Sequence, residues 1–461
     1  MVTLLVFRTM KRLNLCKLLL DKYVVLNLKS YRSVGFDVLS SRTSHVVADR
    51  LNGIQENVWV ELIELAKEVK PVNLGQGFPD FAAPEFITKA LRDALKQPDI
   101  FLNQYTRSYG HPRLVNALSK LYSKLLCREL DPLNEILVTI GADEAIYCTI
   151  MALVNPGDEV IIIEPFFDIY EPVTKMAGGI PVFVPLRPKK THGPISSADW
   201  VLDPKELASK FTNKTKMIIV NTPNNPLGKV FTRSELEMIA ELCKKHNVIC
   251  VMDEVYEWLV FKGSEHIRMA TLPGMWERTL TIGSAGKTFS ITGWKIGWLY
   301  GPRELTKFPQ LLHENCISSC ATPLQEAIAV GLEIENEHMG TPESYWRDLV
   351  DTLEPKRDRM AKFLTTVGMA PTVPEGGYFM MADVSEIASK IDLDAETGMK
   401  DYRFVKWLCR NKKLQGIPIS AFYCNEHRNL GENFIRFCFC KEETTLEKAE
   451  QIIMDLKNSL L

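Results

Sequence analysis

Lys287 stands just past a short β-branched run, residues 280–282 (LTI), in the segment Gly283-Ser284-Ala285-Gly286-Lys287-Thr288. Two earlier runs end in a similar way. Residues 217–220 (MIIV) lead into Asn221-Thr222-Pro223-Asn224-Asn225-Pro226-Leu227-Gly228, and residues 248–252 (VICVM) lead into Asp253-Glu254-Val255-Tyr256. In open α/β sheets, ligands collect beyond the carboxyl ends of the strands. Three successive strands therefore bring amide, carboxylate, phenol and amine groups to one edge, an arrangement with little use in a purely structural protein.

The set can be decoded as the needs of a ring-bearing cofactor. A carboxylate at a buried strand end, Asp253, can keep a pyridine nitrogen protonated and so make the ring an electron sink. Asn225 and Tyr256 can hydrogen-bond a phenolic oxygen on that ring. Lys287 can form an imine with an aldehyde, provided burial or nearby cations let it reach the neutral amine. Gly283, Gly286 and Gly293 permit close backbone approach, and Ser284 and Lys295 can reach a phosphate. The amides of Ala142 and Asp143, at the start of a predicted helix, offer a second anion-binding corner. Phe167 can stack on the ring. Taken singly, each has an ordinary reading: a turn asparagine beside Pro226, a strand-end aspartate, a solvated loop lysine, a core phenylalanine. It is their convergence that argues for a site.

Two imitations are set aside. Residues 283–288 end in Gly-Lys-Thr, but a phosphate-cradling loop needs glycine five positions before its Gly-Lys, and position 281 is Thr. Gly75-Gln76-Gly77 begins like a dinucleotide fingerprint, yet Asp80 occupies the place of the third glycine and no helix pattern follows.

The elements that must position these groups alternate along the chain. Residues 136–140 (ILVTI) predict a strand, and 141–154 a helix. A turn at 155–158 precedes a strand at 159–164 (EVIIIE), and a helix over 233–246 separates the MIIV and VICVM runs. Apolar runs of four to six residues separated by helices predict parallel strands buried on both faces. The expected architecture is α/β, with a mostly parallel central sheet in a large domain over residues 90–335. A smaller α+β domain is expected over 336–461, with a charged helix at 348–367 and strands at 377–382 and 433–439. Residues 46–89 read as an arm that joins the smaller domain.

At 461 residues, two domains are the natural expectation. A net charge of -2 argues against nucleic acid as the main partner, since phosphate binding needs a basic field. No apolar stretch of about 18 residues suggests a membrane span. Eleven scattered cysteines fit reduced thiols in an intracellular enzyme better than a disulfide framework, and no metal site is expected. Residues 1–45 are basic and acid-poor, with Arg8, Lys11, Arg12, Lys17, Lys22, Lys29, Arg32 and Arg42 against Asp21 and Asp37, and they carry several serines. That texture reads as a mitochondrial presequence, with a cytoplasmic protein as the alternative.

Asn221–Gly228 (NTPNNPLG), Asp253-x-x-Tyr256, Ser284-x-x-Lys287 and Gly293-x-Lys295-x-Gly297, in this order, resemble the fold-type I aminotransferases. The resemblance runs from about residue 57 to the C-terminus. Residues 74–81 (LGQGFPDF), 103–105 (NQY), 164–168 (EPFFD), 375–379 (EGGYF) and 434–439 (FIRFCF) narrow it to the kynurenine aminotransferases, also known as cysteine-S-conjugate β-lyases. The resemblance implies pyridoxal 5'-phosphate held by Lys287 and amino-group transfer from kynurenine, glutamine or another bulky amino acid to a 2-oxoacid such as 2-oxoglutarate or glyoxylate. β-Elimination is implied as a side reaction. It further implies that Arg436 clamps the substrate α-carboxylate with help from Asn225 and the Gly77 backbone, and that Trp59 walls the pocket. Tyr105 would reach the cofactor phosphate of a neighbouring subunit, so a homodimer is implied. The loop 317–323 departs from relatives that favour aromatic substrates: Ser318 and Ser319 stand where larger groups are usual, which leaves side-chain preference open.

Two other readings share these motifs. A lyase or synthase of the same fold, such as a relative of aminocyclopropane-carboxylate synthase, would not turn over an oxoacid. A cofactor-free interaction protein would show no visible absorption band.

Overall fold

A computed structural model describes residues 48–54, 58–190 and 195–460 of the chain. The basic leader expected over residues 1–45 lies outside them. Asp49–Leu51 form a short 3-10 turn in a unit that ends at Gly53, and Ile54–Leu461 form a second unit. All that follows concerns the second.

Its largest element is a sheet of seven strands: β1 (Ile136–Thr139), β2 (Glu159–Glu164), β3 (Ile180–Pro185), β4 (Thr215–Asn221), β5 (Ile249–Asp253), β6 (Thr279–Ser284) and β7 (Gly297–Tyr300). The spatial order is β1-β7-β6-β5-β4-β2-β3. Only β7 runs antiparallel to its neighbours, β6 and β1; the remaining pairs are parallel. β1, β6 and β7 are buried along their whole length, as expected of strands covered on both faces.

The predicted strands at 136–140, 159–164, 217–220, 248–252 and 280–282 correspond to β1, β2, β4, β5 and β6. Two strands carry no clear sequence signal. In β3, Pro181 and Pro185 break the donor pattern, and a strand bearing prolines is tolerated here because β3 lies at the sheet edge. β7 is four residues long and begins at a glycine.

Helix packing supports the sheet. Gly141–Leu153 form helix α1, and Arg233–His246 form helix α2. The start of α2 is fixed by a capping box: Thr232 Oγ1 accepts from the Glu235 N–H, and Glu235 Oε2 accepts from the Thr232 N–H at 2.9 Å. Its end is set by Asn247 in the left-handed region, φ 54°. Among the described residues, no helix is long and apolar enough to cross a membrane. The ten described cysteines are free thiols.

A second sheet brings together Ala370–Val373, Phe379–Asp383 and Phe434–Cys438 with two short segments, Ile417–Pro418 and Ile195–Ser196. The charged helix expected at 348–367 is Tyr345–Thr366. Ile195–Ser196 reach this sheet from a segment between β3 and β4, and Val72–Asn73 pair with Leu414–Gln415. The Leu74 carbonyl accepts from the Cys438 N–H at 2.7 Å. That bond fixes the segment around Gly75 and Gly77 beside the strand that carries Arg436.

Candidate active site

The carboxyl edge of the large sheet is where the candidate residues meet. β1 ends there and hands over to α1, which brings Ala142 and Asp143. β2 ends at Glu164, just ahead of Phe167. β4 ends at Asn221, β5 at Asp253 and β6 at Ser284. Because β7 is antiparallel, its first residue, Gly297, lies opposite Ser284 and Thr139 at the same edge, and it carries Lys295 there. A cavity of about 230 Å³ opens among these ends, lined by Trp59, Gly77, Ala142, Asp143, Phe167, Asn225, Asp253, Tyr256, Ser284, Lys287, Lys295 and Arg436. Every predicted site residue but one is on its wall. Tyr105, which the resemblance assigns to a neighbouring subunit's site, is the exception, and it is 92% exposed. Ser318 and Ser319, whose loop the resemblance puts at the partner's pocket, do not line this one.

At the floor, Asp253 is buried. One of its oxygens accepts from the Tyr170 hydroxyl and the other from the Val255 N–H at 3.4 Å. Burial raises its pKa to about 6, because a desolvated carboxylate without a cationic neighbour in contact is disfavoured. Tyr256 is also buried and packs edge-on against Tyr378, centroids 5.1 Å apart. Asn221 ties the ends of β4 and β5: its Nδ2 donates to the Asp253 carbonyl at 2.9 Å, and its Oδ1 accepts from the Asn225 N–H at 2.6 Å.

The Lys287 amine donates to the Tyr378 hydroxyl at 2.7 Å and to the Gly77 carbonyl at 3.3 Å. The residue as a whole still borders free volume, but protein atoms crowd the amine densely enough for burial to push its pKa down to about 8. No carboxylate pairs with it among the described residues.

Arg436 has the most telling environment. It is 1% exposed. One Nη donates to Asn225 Oδ1 at 2.7 Å and the other to the Gly75 carbonyl at 2.9 Å. Its guanidinium lies 3.8 Å from the Phe379 ring centroid. Nε has no hydrogen-bond partner, and no carboxylate stands within 4.0 Å among the described residues. Burial lowers its pKa to about 10, so the charge persists at neutral pH. A buried, unpaired cation is costly unless an anion completes it.

Another part of the wall is suited to a different anion. The first turn of α1 has no side-chain cap, so its N–H groups at Ala142 and Asp143 face the cavity region unsatisfied by a capping side chain. Ser284 is buried beside them. The Lys295 amine rests on Asp143 Oδ2 at 2.7 Å, both side chains about half exposed. Trp59 donates from Nε1 to Asp168 at 2.9 Å.

Three residues at this site had no role assigned from sequence. Tyr378 belongs to the EGGYF segment and was indistinguishable there from a core aromatic. Tyr170 sits in a short helix after Phe167. Asn221 is the last residue of β4. The glycines also need a different explanation from close approach to a ligand. A Cβ on Gly283 would lie 2.3 Å from Trp298 Nε1, and one on Gly286 would lie 2.9 Å from the Thr292 backbone. Protein atoms fill both places. Gly293 has open space around it.

The family described as aminotransferase class I and II matches residues 69–453. Human kynurenine–oxoglutarate transaminase 3 is 50% identical over 442 residues, 95% of this chain and 97% of that protein. Among solved structures, Bna3p from Saccharomyces cerevisiae superimposes with a TM-score of 0.83 at 37% identity, covering 90% of this chain and all of that one. A single mutant of Thermus thermophilus aspartate aminotransferase gives a TM-score of 0.77 at 27% identity, covering 89% of this chain and all of that one.

Proposed function

Because this chain belongs to the class I and II aminotransferases, which are pyridoxal-phosphate enzymes, we propose that it moves the amino group of L-kynurenine, glutamine or a similar bulky amino acid to a 2-oxoacid. The observation that carries the reading is Arg436, buried without a carboxylate on the cavity that also holds Lys287. The 50% identity to human kynurenine–oxoglutarate transaminase 3 supports kynurenine and 2-oxoglutarate as the pair to try first. Aromatic walls from Trp59, Phe167, Tyr256 and Phe379 suit a flat side chain.

The residues present fit the cofactor. Asp253, a buried carboxylate with no cation in contact, would hold a protonated ring nitrogen. Asn225 and Tyr256 would face the ring oxygen, and Phe167 the ring itself. The Ala142 and Asp143 amides, Ser284 and Lys295 would hold the phosphate, with Lys295 leaving Asp143 for the stronger anion. Pyridoxal phosphate, when bound, supplies an aldehyde for an amine and a ring that accepts the electron pair of a Cα–H bond.

Arg436 and Asn225 fix the substrate carboxylate, a planar anion matched to a planar guanidinium. Fixing it sets which bond at Cα faces Lys287. Lys287 Nζ takes the Cα proton and returns it on the far side of the substrate nitrogen, two bonds from Cα. An amine that titrates near 8 is poised to both accept and release a proton close to neutrality. Tyr378 holds that amine on the Gly77 side of the cavity.

A leaving group on the β-carbon would depart with the same electron pair, so cysteine-S-conjugate β-elimination belongs to the proposal. So does a homodimer, supported by the exposed side chains of Ile100, Phe101 and Tyr105 (68%, 71% and 92%); Tyr105 would then complete the partner's phosphate site. The basic leader supports delivery to mitochondria, which a fusion of residues 1–45 to a fluorescent protein would check. For the activity, kynurenine and 2-oxoglutarate should yield glutamate and kynurenic acid, and Lys287→Ala should yield neither. Absence of glutamate with every amino acid tried would overturn the reading.

A further inference from the structure

Glu164, Cys424 and His427 converge outside the cavity wall. Glu164 ends β2, while Cys424 and His427 follow the 3-10 turn Ile419–Phe422, and the ligand-capable atoms of all three lie within 4.8 Å of one another. Glu164 is fully buried, Cys424 is 4% exposed, and the His427 side chain is 27% exposed. A carboxylate this deep ordinarily faces a lysine or arginine. Here the sole ion-pair partner among the described residues is the His427 imidazole, with Nδ1 on Oε2. The other oxygen accepts from the Cys424 backbone N–H at 2.6 Å. The neighbouring Tyr423 hydroxyl is buried without a hydrogen-bond partner.

We propose that Glu164, Cys424 and His427 form a binding site for one zinc ion. The donor set of one sulfur, one nitrogen and one oxygen suits zinc, whereas calcium and magnesium favour oxygen alone. The charges also balance. A thiolate, a carboxylate and a neutral imidazole sum to the two negative charges that a divalent ion cancels. On binding, the Cys424 thiol gives its proton to solvent and Sγ bonds the metal, while the hydrogen bond from His427 Nδ1 to Glu164 breaks and the neutral imidazole keeps its one proton on Nε2. The partly exposed His427 edge provides the way in and leaves room for a water as fourth ligand.

A second cluster, Glu254, Glu257 and His266, has similar spacing but a different environment. The Arg268 guanidinium already pairs with Glu257, and Tyr122 donates to the same carboxylate. The guanidinium already offsets one of the two carboxylates, so although Glu254 Oε1 has no hydrogen-bond partner, a divalent ion would leave an uncancelled positive charge there. By contrast, zinc at Glu164 would clasp two segments that already meet where the Phe166 N–H donates to the Phe422 carbonyl at 2.9 Å. Phe167, one residue on, belongs to the cavity wall.

The test is equilibrium dialysis of the cofactor-loaded enzyme against zinc chloride, with metal counted by mass spectrometry, and a parallel titration with cobalt(II). Wild-type protein should retain one zinc per chain and show a thiolate-to-cobalt absorption band. Cys424→Ser and His427→Gln should each weaken zinc by at least ~10-fold, the loss that even a supporting group causes, and Cys424→Ser should abolish the band. The proposal is overturned if wild type retains no zinc. It is equally overturned if both variants bind as wild type does, which would place the metal on other thiols such as the exposed Cys127 and Cys316.

Discussion

The Lys287 amine and the Tyr378 hydroxyl are 2.7 Å apart, and that hydroxyl donates onward to the Gly77 carbonyl at 2.9 Å. Ninety-one residues separate the two in sequence. The contact joins the strand ends of the large sheet to the small sheet, at the atom that must carry a proton.

Replacing Tyr378 by Phe removes that acceptor while keeping the ring against Tyr256. A net hydrogen bond is worth about 0.5–1.5 kcal/mol, so kcat should fall about 3- to 10-fold with KM for the amino acid nearly unchanged. The pH profile of kcat should shift to lower pH, because the ammonium form of Lys287 loses a partner. An unshifted profile would show that Tyr378 only packs.

Arg436→Gln removes the carboxylate clamp. Losing one member of a buried charge pair costs about 2–5 kcal/mol, so KM for both amino acid and oxoacid should rise by roughly 30-fold or more. Arg436→Lys should recover only part, since a point charge cannot reproduce the planar fork. Steady-state kinetics with each substrate varied in turn will check this.

Asp253 gives a pH prediction for the cofactor-free protein. Its folded pKa of about 6 lies above the ordinary value of 3.8, so the folded chain binds more protons than the unfolded chain between those values. Stability must therefore fall as pH rises from about 4 to 6, and the deficit persists above 6. Asp253→Asn should raise the melting temperature of the cofactor-free protein at pH 7.5, by an amount equivalent to about 3 kcal/mol. The gain should shrink toward pH 4. The same variant should lose activity, since an amide cannot hold a protonated ring nitrogen.

Gly77→Ala places a Cβ 2.4 Å from Phe379 Cζ. Overpacking of this kind costs about 1–3 kcal/mol. Thermal melting should register the loss, and Phe379→Leu in the same chain should restore part of it.

Much of this site was readable because it hangs on strand ends. β-Branched runs mark β4, β5 and β6, and whatever follows them must lie at one edge; Asn225, Asp253 and Lys287 needed no more than that. The N-terminus of α1 was legible for the same reason. Tyr378 and Tyr170 were not, since their roles depend on contacts across 91 and 83 residues that no local pattern encodes. The glycines misled in a specific way: a missing Cβ signals close approach, but not whether ligand or protein fills the space. Gly283 makes room for Trp298. β3 and β7 escaped notice because prolines and short length mask strands whose place is set by their neighbours.

The central claim is that Lys287 holds the cofactor and releases it to an amino acid. Borohydride reduction followed by peptide mass spectrometry tests it directly. Before substrate, the pyridoxyl mass should sit on the peptide carrying Lys287; after kynurenine or glutamine is added, that peptide should be unmodified. A pyridoxyl group on another lysine, such as Lys295 or Lys441, or one that stays on Lys287 whatever amino acid is supplied, would contradict the account.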